Sequence, residues 1–171
     1  MSNDTTVRDA VAGDAGGICA IYNAALAERS STFETEPRSA VDFEARIEDA
    51  RFPLLVSDDD GGGVVGWAGL APYSARDCYA GIGECSVYVA APARGRGVGT
   101  KLTDSLAAVA QGVGFHKMVG KLFLDNVASV RLVERCGFQR VGVHRRHGQL
   151  DGAWLDVLVV ELLLSRAAST G

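Results

Sequence analysis

No two cysteines in this chain have the CxxC spacing of a metal or redox site. Cys19, Cys78, Cys85 and Cys136 stand apart, and the three histidines are not grouped with them. Neither a metal centre nor a disulfide framework is expected, and reduced thiols are. Long apolar runs are missing as well. None reaches the length of a membrane span, and the N-terminus MSNDTTVRD lacks the basic-then-apolar plan of a secretory leader, so a cytoplasmic protein with no membrane partner is expected. Positive charge is not in excess: the net charge is -4 at pH 7, which disfavours nucleic acid as a partner. Internal repeats are absent too. What remains is the profile of one folded domain over residues 1–171, with 47% apolar and 22% charged residues.

Apolar spacing predicts a short strand over residues 5–9 and a helix over 14–28 that carries Ile18, Ile21, Tyr22, Ala25 and Leu26. A second helix, with Ser39 as N-cap, takes Val41, Phe43, Ile47 and Ala50. Residues 54–57 and 64–70 read as an antiparallel hairpin across DDDGGG. A strand over 84–90 puts Glu84, Ser86 and Tyr88 on one face and Cys85, Val87 and Val89 on the other. From Val98 a helix follows, buried along Leu102, Leu106, Val109 and Val113. HKMVGKLFL reads as a strand, NVASVRLVERC as a helix ended by Gly137, and FQRVGVHRR and AWLDVLVVELLL as strands around LDG. The sum is an α/β (α+β) domain: a single mixed, largely antiparallel sheet with helices on both faces.

Between the strand at 84–90 and the next helix lies RGRGVG, residues 94–99. Its glycines let the backbone approach a ligand, and the helix start offers free N–H groups and a positive dipole end that suit a phosphate. Arg94, Arg96 and Lys101 add positive charge ahead of the first acid, Asp104. The plainer alternative is a glycine-rich turn with solvated arginines. The stretch is neither GxxxxGK[ST] nor GxGxxG, which disfavours ATP and NAD.

Arg94-Gly95-Arg96-Gly97-Val98-Gly99 resembles the R/Q-x-x-G-x-G/A pyrophosphate loop of the GNAT acyltransferase superfamily. DNVASVRLVERCGF resembles that family's N-x-x-S-x-x-L-x-x-x-x-G-F helix, with Asn126, Ser129, Leu132, Gly137 and Phe138 in place. FETEP, PYSARDCY, ECSVYV and GAWLDV resemble the phosphinothricin acetyltransferase branch, and ETEPRS and GQLDGAWLDV the arsinothricin N-acetyltransferases within it. The likeness covers nearly the whole chain. It implies the GNAT fold, acetyl-CoA as co-substrate, acetylation of the α-amine of a small glutamate-like amino acid, a role in detoxification or antibiotic resistance, and a homodimer. By the same resemblance Val87, Tyr88 and Val89 offer backbone groups to pantetheine. Arg94, Gly95, Arg96, Gly97, Val98, Gly99 and Thr100 form the pyrophosphate cradle, Asn126 contacts the cofactor farther along, and Glu84 is the general base.

An amine attacks a thioester only when neutral, and an α-amine with a pKa near ~7.8 is the easier substrate than a lysine amine near ~10.4. Glu84 begins the strand expected to line the cleft, so it is placed to take the proton. A bulge at 87–89 would free a backbone N–H for the developing oxyanion. Many members of the family follow the motif leucine with Tyr or His, but here Val133 stands there, leaving no dedicated acid for the thiolate. A thiol pKa near ~8.5 lets water serve instead. Arg76 could fork onto a substrate carboxylate, with Phe33, Tyr73 and Tyr79 as walls. Trp154 is assigned to packing, Asp156 to an exposed or capping position, the histidines to ordinary polar positions, and Cys85 to a small buried hydrophobe rather than a nucleophile. The apolar run VLVVELLL requires cover on its faces or edge, a second reason to expect a homodimer. Two other readings remain: a catalytically silent acetyl-CoA sensor, which would lose the base, and a protein or peptide acetyltransferase, which would favour an open acidic cleft.

Overall fold

In the computed structural model, which describes residues 5–164, the elements follow in the order β1 (Thr6–Asp9), α1 (Ala15–Ala27), α2 (Ala40–Glu48), β2 (Leu54–Asp58), β3 (Val64–Pro72) and β4 (Ile82–Val89). Then come α3 (Val98–Gly112), β5 (Lys117–Phe123), α4 (Val127–Arg135), β6 (Gln139–Leu150) and β7 (Ala153–Leu163). The strands form one sheet in the order β1-β2-β3-β4-β5-β7-β6, and only β4 and β5 run parallel. The expected fold class holds.

Strand alternation decides which helices each face receives. Leu54, Val56, Trp67 and Tyr88 meet α1 and α2 through Ile18, Tyr22 and Phe43. Leu55, Ala68, Leu70, Cys85, Val87 and Val89 meet α3 and α4 through Val98, Leu102, Leu106 and Val133. The two faces expected for β4 are thereby realised. Ser39 is the N-cap of α2, and the Asp42 carboxylate accepts both its N–H, at 2.9 Å, and its hydroxyl, at 3.0 Å. Ala50 falls just beyond the end of this helix.

Several expectations are corrected. The run VLVVELLL lies in β7, whose two edges are covered within the chain by β5 and β6, while Leu163 on its face stays exposed; β6 is the edge strand at this end of the sheet. β6 also continues past residue 146 to Leu150 through a break in register between His144 and Gly148. Asp156 stabilises that break by accepting the Arg146 N–H at 2.8 Å and the Arg145 guanidinium at 3.0 Å; these contacts hold its carboxyl below the usual carboxylate range. Trp154 is 50% exposed, with the Arg146 guanidinium 5.7 Å from its ring centre, instead of packed.

A further correction concerns β4. Its pairing with β3 is unbroken from Pro72↔Gly83 to Gly66↔Val89, so the expected bulge is absent. Instead β4 and β5 pair only at Ile82↔Lys117, Gly83↔Met118 and Glu84↔Val119, and then part. One backbone edge of β4 beyond Glu84 is left without a ladder partner, which frees N–H and C=O groups as a bulge would have done.

The far end of the sheet is tied by Arg8. Its guanidinium donates to Asp14 at 2.8 and 2.9 Å and to Asp58 at 2.6 and 3.1 Å, joining β1, β2 and the turn before α1. Hydrogen bonding from Arg8 is the main reason that the nearly buried Asp14 carboxyl titrates below its ordinary 3.8. A group with a depressed folded pKa contributes stability above its unfolded value and loses that contribution as pH falls through the folded value. Arg8→Ala should lower the unfolding free energy by about 1–3 kcal/mol at pH 7. Denaturant titrations across pH should show the gap to the wild type closing as the pH drops below about 4. A gap that stayed constant down to pH 2 would contradict this.

Candidate active site

Two cavities flank β4 and share Ser31 and Tyr88. A groove of about 490 Å³ runs from the opened edge of β4 to the start of α3, lined by Val87 to Val89, the RGRGVG loop and α4. A larger cavity of about 750 Å³ lies on the α1 and α2 side, with Glu84, Ser86 and Tyr88 on its wall.

The groove is built for an anion. Gly95 and Gly97 adopt φ values of 74° and 83°, and a side chain added at either position would meet no heavy atom within 4 Å, so open space lies above both. Gly97 is the N-cap of α3, whose first N–H groups have no intrahelical acceptor. Gly99 serves a different need, since a Cβ there would come within 3.1 Å of Leu132. Val98 is buried and Thr100 lines the groove.

The loop's arginines behave differently from one another. Arg94 lines the groove, but its Nε donates to Val89 O at 3.0 Å and its guanidinium pairs with both Glu28 oxygens, at 3.0 and 2.9 Å. It braces the loop against the end of α1. Arg96 is exposed and outside the groove lining. Arg131 and Arg135, not singled out from the sequence, line the groove from α4, and their i,i+4 spacing on a helix was the signal that could have found them. Asn126 also lines the groove as the cap of α4: its Oδ1 accepts the Ser129 N–H at 3.1 Å and its Nδ2 donates to Ser30 O at 3.1 Å. Ser31 Oγ, where the cavities meet, is buried without a hydrogen-bond partner, a free polar contact for a bound molecule. These features fit acetyl-CoA: glycine cradle, helix start and α4 arginines for the pyrophosphate, and the freed edge of β4 for the pantetheine.

In the larger cavity Glu84 sits at the last register before β4 and β5 part. Its Oε2 accepts from Lys121 Nζ at 2.8 Å, and that ammonium lies 6.0 Å from the Tyr73 ring centre. Tyr73 packs edge-on against Tyr79 at 5.9 Å, and Arg76 stands 5.8 Å from the Tyr79 ring. These three half-exposed or exposed residues therefore join Glu84 through Lys121, outside the cavity lining itself. Phe33 does line the cavity, edge-on to Phe123 at 4.7 Å and against Gly148, where a Cβ would come within 2.7 Å of the ring. His147 is brought to the same cavity by the register break in β6. Burial pushes the Cys85 thiol up to about 12 and Tyr88 up to about 12, which leaves Cys85 without thiolate for nucleophilic attack. Val133 is buried in the core.

A groove thus opens where the two parallel strands part, and a carboxylate stands at the point of parting. The chain belongs to the acetyltransferase (GNAT) family, whose sequence model matches residues 18–138. It is 34% identical over 168 residues to the L-methionine sulfoximine/L-methionine sulfone acetyltransferase of Pseudomonas paraeruginosa, covering 96% of this chain and 97% of that one. Identity to the phosphinothricin N-acetyltransferase of Streptomyces coelicolor is 33% over 159 residues, or 90% and 93% of the two chains. The structure of a GNAT phosphinothricin acetyltransferase from Sinorhizobium meliloti in complex with acetyl-CoA superimposes with a TM-score of 0.91 at 29% identity, covering 100% of this chain and 93% of that one.

Gly97→Asp should weaken acetyl-CoA binding about ten- to a hundredfold by placing negative charge in the cradle. Gly97→Asn, which tolerates the same left-handed backbone, should cost far less. Titration calorimetry with CoA checks both, and equal losses in the two variants would mean that shape rather than charge sets the affinity.

Proposed function

We propose that this enzyme transfers the acetyl group of acetyl-CoA to the α-amine of a small amino acid such as phosphinothricin, arsinothricin or methionine sulfoximine, with Glu84 as general base. The observation that carries the reading is the position of Glu84, at the junction of the opened β4 edge and the larger cavity. The substrates named for two relatives, phosphinothricin and methionine sulfoximine, support the acceptor class.

Acetyl-CoA supplies the activated thioester; the chain's residues supply position and proton transfer. Lys121 holds Oε2 of Glu84, leaving Oε1 to take the amine proton through a water molecule. For an α-amine at pH 7 the cost of deprotonation is about one pKa unit, roughly 1.4 kcal/mol. The amine and the thioester approach from the two sides of β4, where freed backbone N–H groups face the carbonyl oxygen as charge develops. Protonation of the departing thiolate falls to solvent, since Val133 is in the core. The α-carboxylate goes to Lys121 on the cavity wall, beside Phe33, with Arg76 as a second cation that would have to reach it from outside the lining by way of Tyr79 and Tyr73. A cytoplasmic location and a role in resistance accompany this reading, because acetyl-CoA is a metabolite of the cell interior and acetylation masks the amine of a toxic amino acid. Homodimerisation is supported by the exposed Val141, Trp154 and Leu163 on β6 and β7, and sedimentation at micromolar concentration tests it.

Glu84→Gln should lower kcat about a hundredfold at pH 7 while leaving acetyl-CoA affinity unchanged, and part of the rate should return toward pH 9 as the amine deprotonates unaided. Thiol release with amino acids, their decarboxylated amines and short peptides measures this. An unchanged pH profile in the variant, or equal turnover of peptides, would contradict the scheme.

A further inference from the structure

The lining of the larger cavity includes an arginine, Arg46, that has no counter-ion among the described residues. Arg46, on α2, lies with its guanidinium carbon 5.2 Å from the centre of the Trp67 ring, and its Nη2 donates to Leu70 O at 3.2 Å. Among the described residues no carboxylate is within ion-pair distance of it. A guanidinium has five N–H donors, and that one carbonyl contact leaves most of them unspent. Burial, its largest influence, and the neighbouring Arg38 charge both act against the charged form of Arg46. Arg38 stands over Tyr22 at 5.6 Å on the same cavity wall, its nearest acid the exposed Glu34 at 3.8 Å. Arg46 is thus a desolvated cation over an aromatic floor with no anion beside it among the described residues, and the exposed Arg38 adds a second positive charge to the same wall. Trp67 is 1% exposed and its Nε1 also has no acceptor.

Register relates this cation to the reacting end. Gly69 pairs with Ser86, and a Cβ on Gly69 would lie 3.0 Å from Arg46 Nη2, so the guanidinium rests on that position of the sheet. Glu84 pairs with Ala71, two residues along the same face. Two residues of strand span roughly 7 Å. In an amino acid of glutamate length, the amine nitrogen and the terminal acid atom are separated by roughly 5 Å when extended, by ordinary bond lengths. Hydrogen bonds at each end cover the remainder.

Resting on the acetyltransferase reading above, we propose that Arg46, backed by Trp67 and assisted by Arg38, is the anchor for the anionic far end of the acceptor. It makes the enzyme selective for amino acids ending in a phosphinate, arsonate-like or carboxylate group over neutral ones of equal length. Arg46 thus acts as a specificity-determining residue on the inner side of the cavity, while the amine and α-carboxylate are handled at its mouth.

The test compares phosphinothricin, with an anionic end, and methionine sulfone, with a neutral one, in the wild type, Arg46→Met and Arg46→Lys. Methionine keeps the packing against Trp67 and removes the charge; lysine keeps the charge and removes the fork. Binding is read by calorimetry in the presence of CoA, turnover by thiol release, and folding by thermal melting. Arg46→Met should weaken phosphinothricin about ten- to a hundredfold and methionine sulfone less than about twofold, with Arg46→Lys in between and CoA affinity unchanged. Equal losses for both amino acids, no loss for either, or no phosphinothricin binding by the wild type would overturn the anchor. Binding that depends on Arg46 but gives no turnover would leave the anchor standing and remove the acetyltransfer scheme. Turnover of phosphinothricin indifferent to Arg46 would do the reverse.

Discussion

The separation of β4 from β5 after a single short ladder is the constraint on which the rest of the structure depends. Up to Glu84↔Val119 the two parallel strands satisfy each other's backbone groups; beyond it they cannot. Buried backbone polar groups require partners. An extended cofactor arm can supply them on the groove side, in the manner of a strand added to an edge. The same divergence brings the groove and the larger cavity together at Tyr88 and Ser31, so that both open onto one short stretch of β4.

Charge is distributed to match. The chain is acidic overall, yet the groove gathers Arg131 and Arg135 beside a helix start, and the larger cavity gathers Arg38, Arg46 and Lys121. Attraction of anions is therefore a property of two local sites. Arg94 and Asn126 spend their polar groups inside the protein, and their role is to hold the walls: one fixes the loop to α1, the other fixes α4 to the segment at Ser30.

Much of this was legible in the sequence, and what was legible was local. The glycine loop, the strand alternation that sets Glu84 and Cys85 on opposite faces and the helix at 98–112 each depend on neighbouring residues, so spacing reveals them. The features that sequence reading missed are products of pairing between distant segments. A bulge was expected because a strand seen alone offers no other way to free its backbone, whereas the real device needs β5, some thirty residues later. Arg46 and Lys121 were passed over because each looks like an ordinary surface cation on its own element; only the crossing of α2 over β3, and the placing of β5 beside β4, brings them to the cavity. β7 read as an apolar strand in need of cover because local spacing does not show its pairing with β5, which lies some thirty residues earlier in the chain, on the side away from β6.

In the proposed reaction both substrates are held at once across β4 and the acetyl group passes directly from one to the other, with Cys85 taking no part. Initial rates measured while both acetyl-CoA and the amino acid are varied decide this. Direct transfer predicts reciprocal plots that intersect and an enzyme that gains no mass when incubated with acetyl-CoA alone. Parallel lines together with an acetylated Cys85 would show that the transfer passes through the protein and would contradict the account.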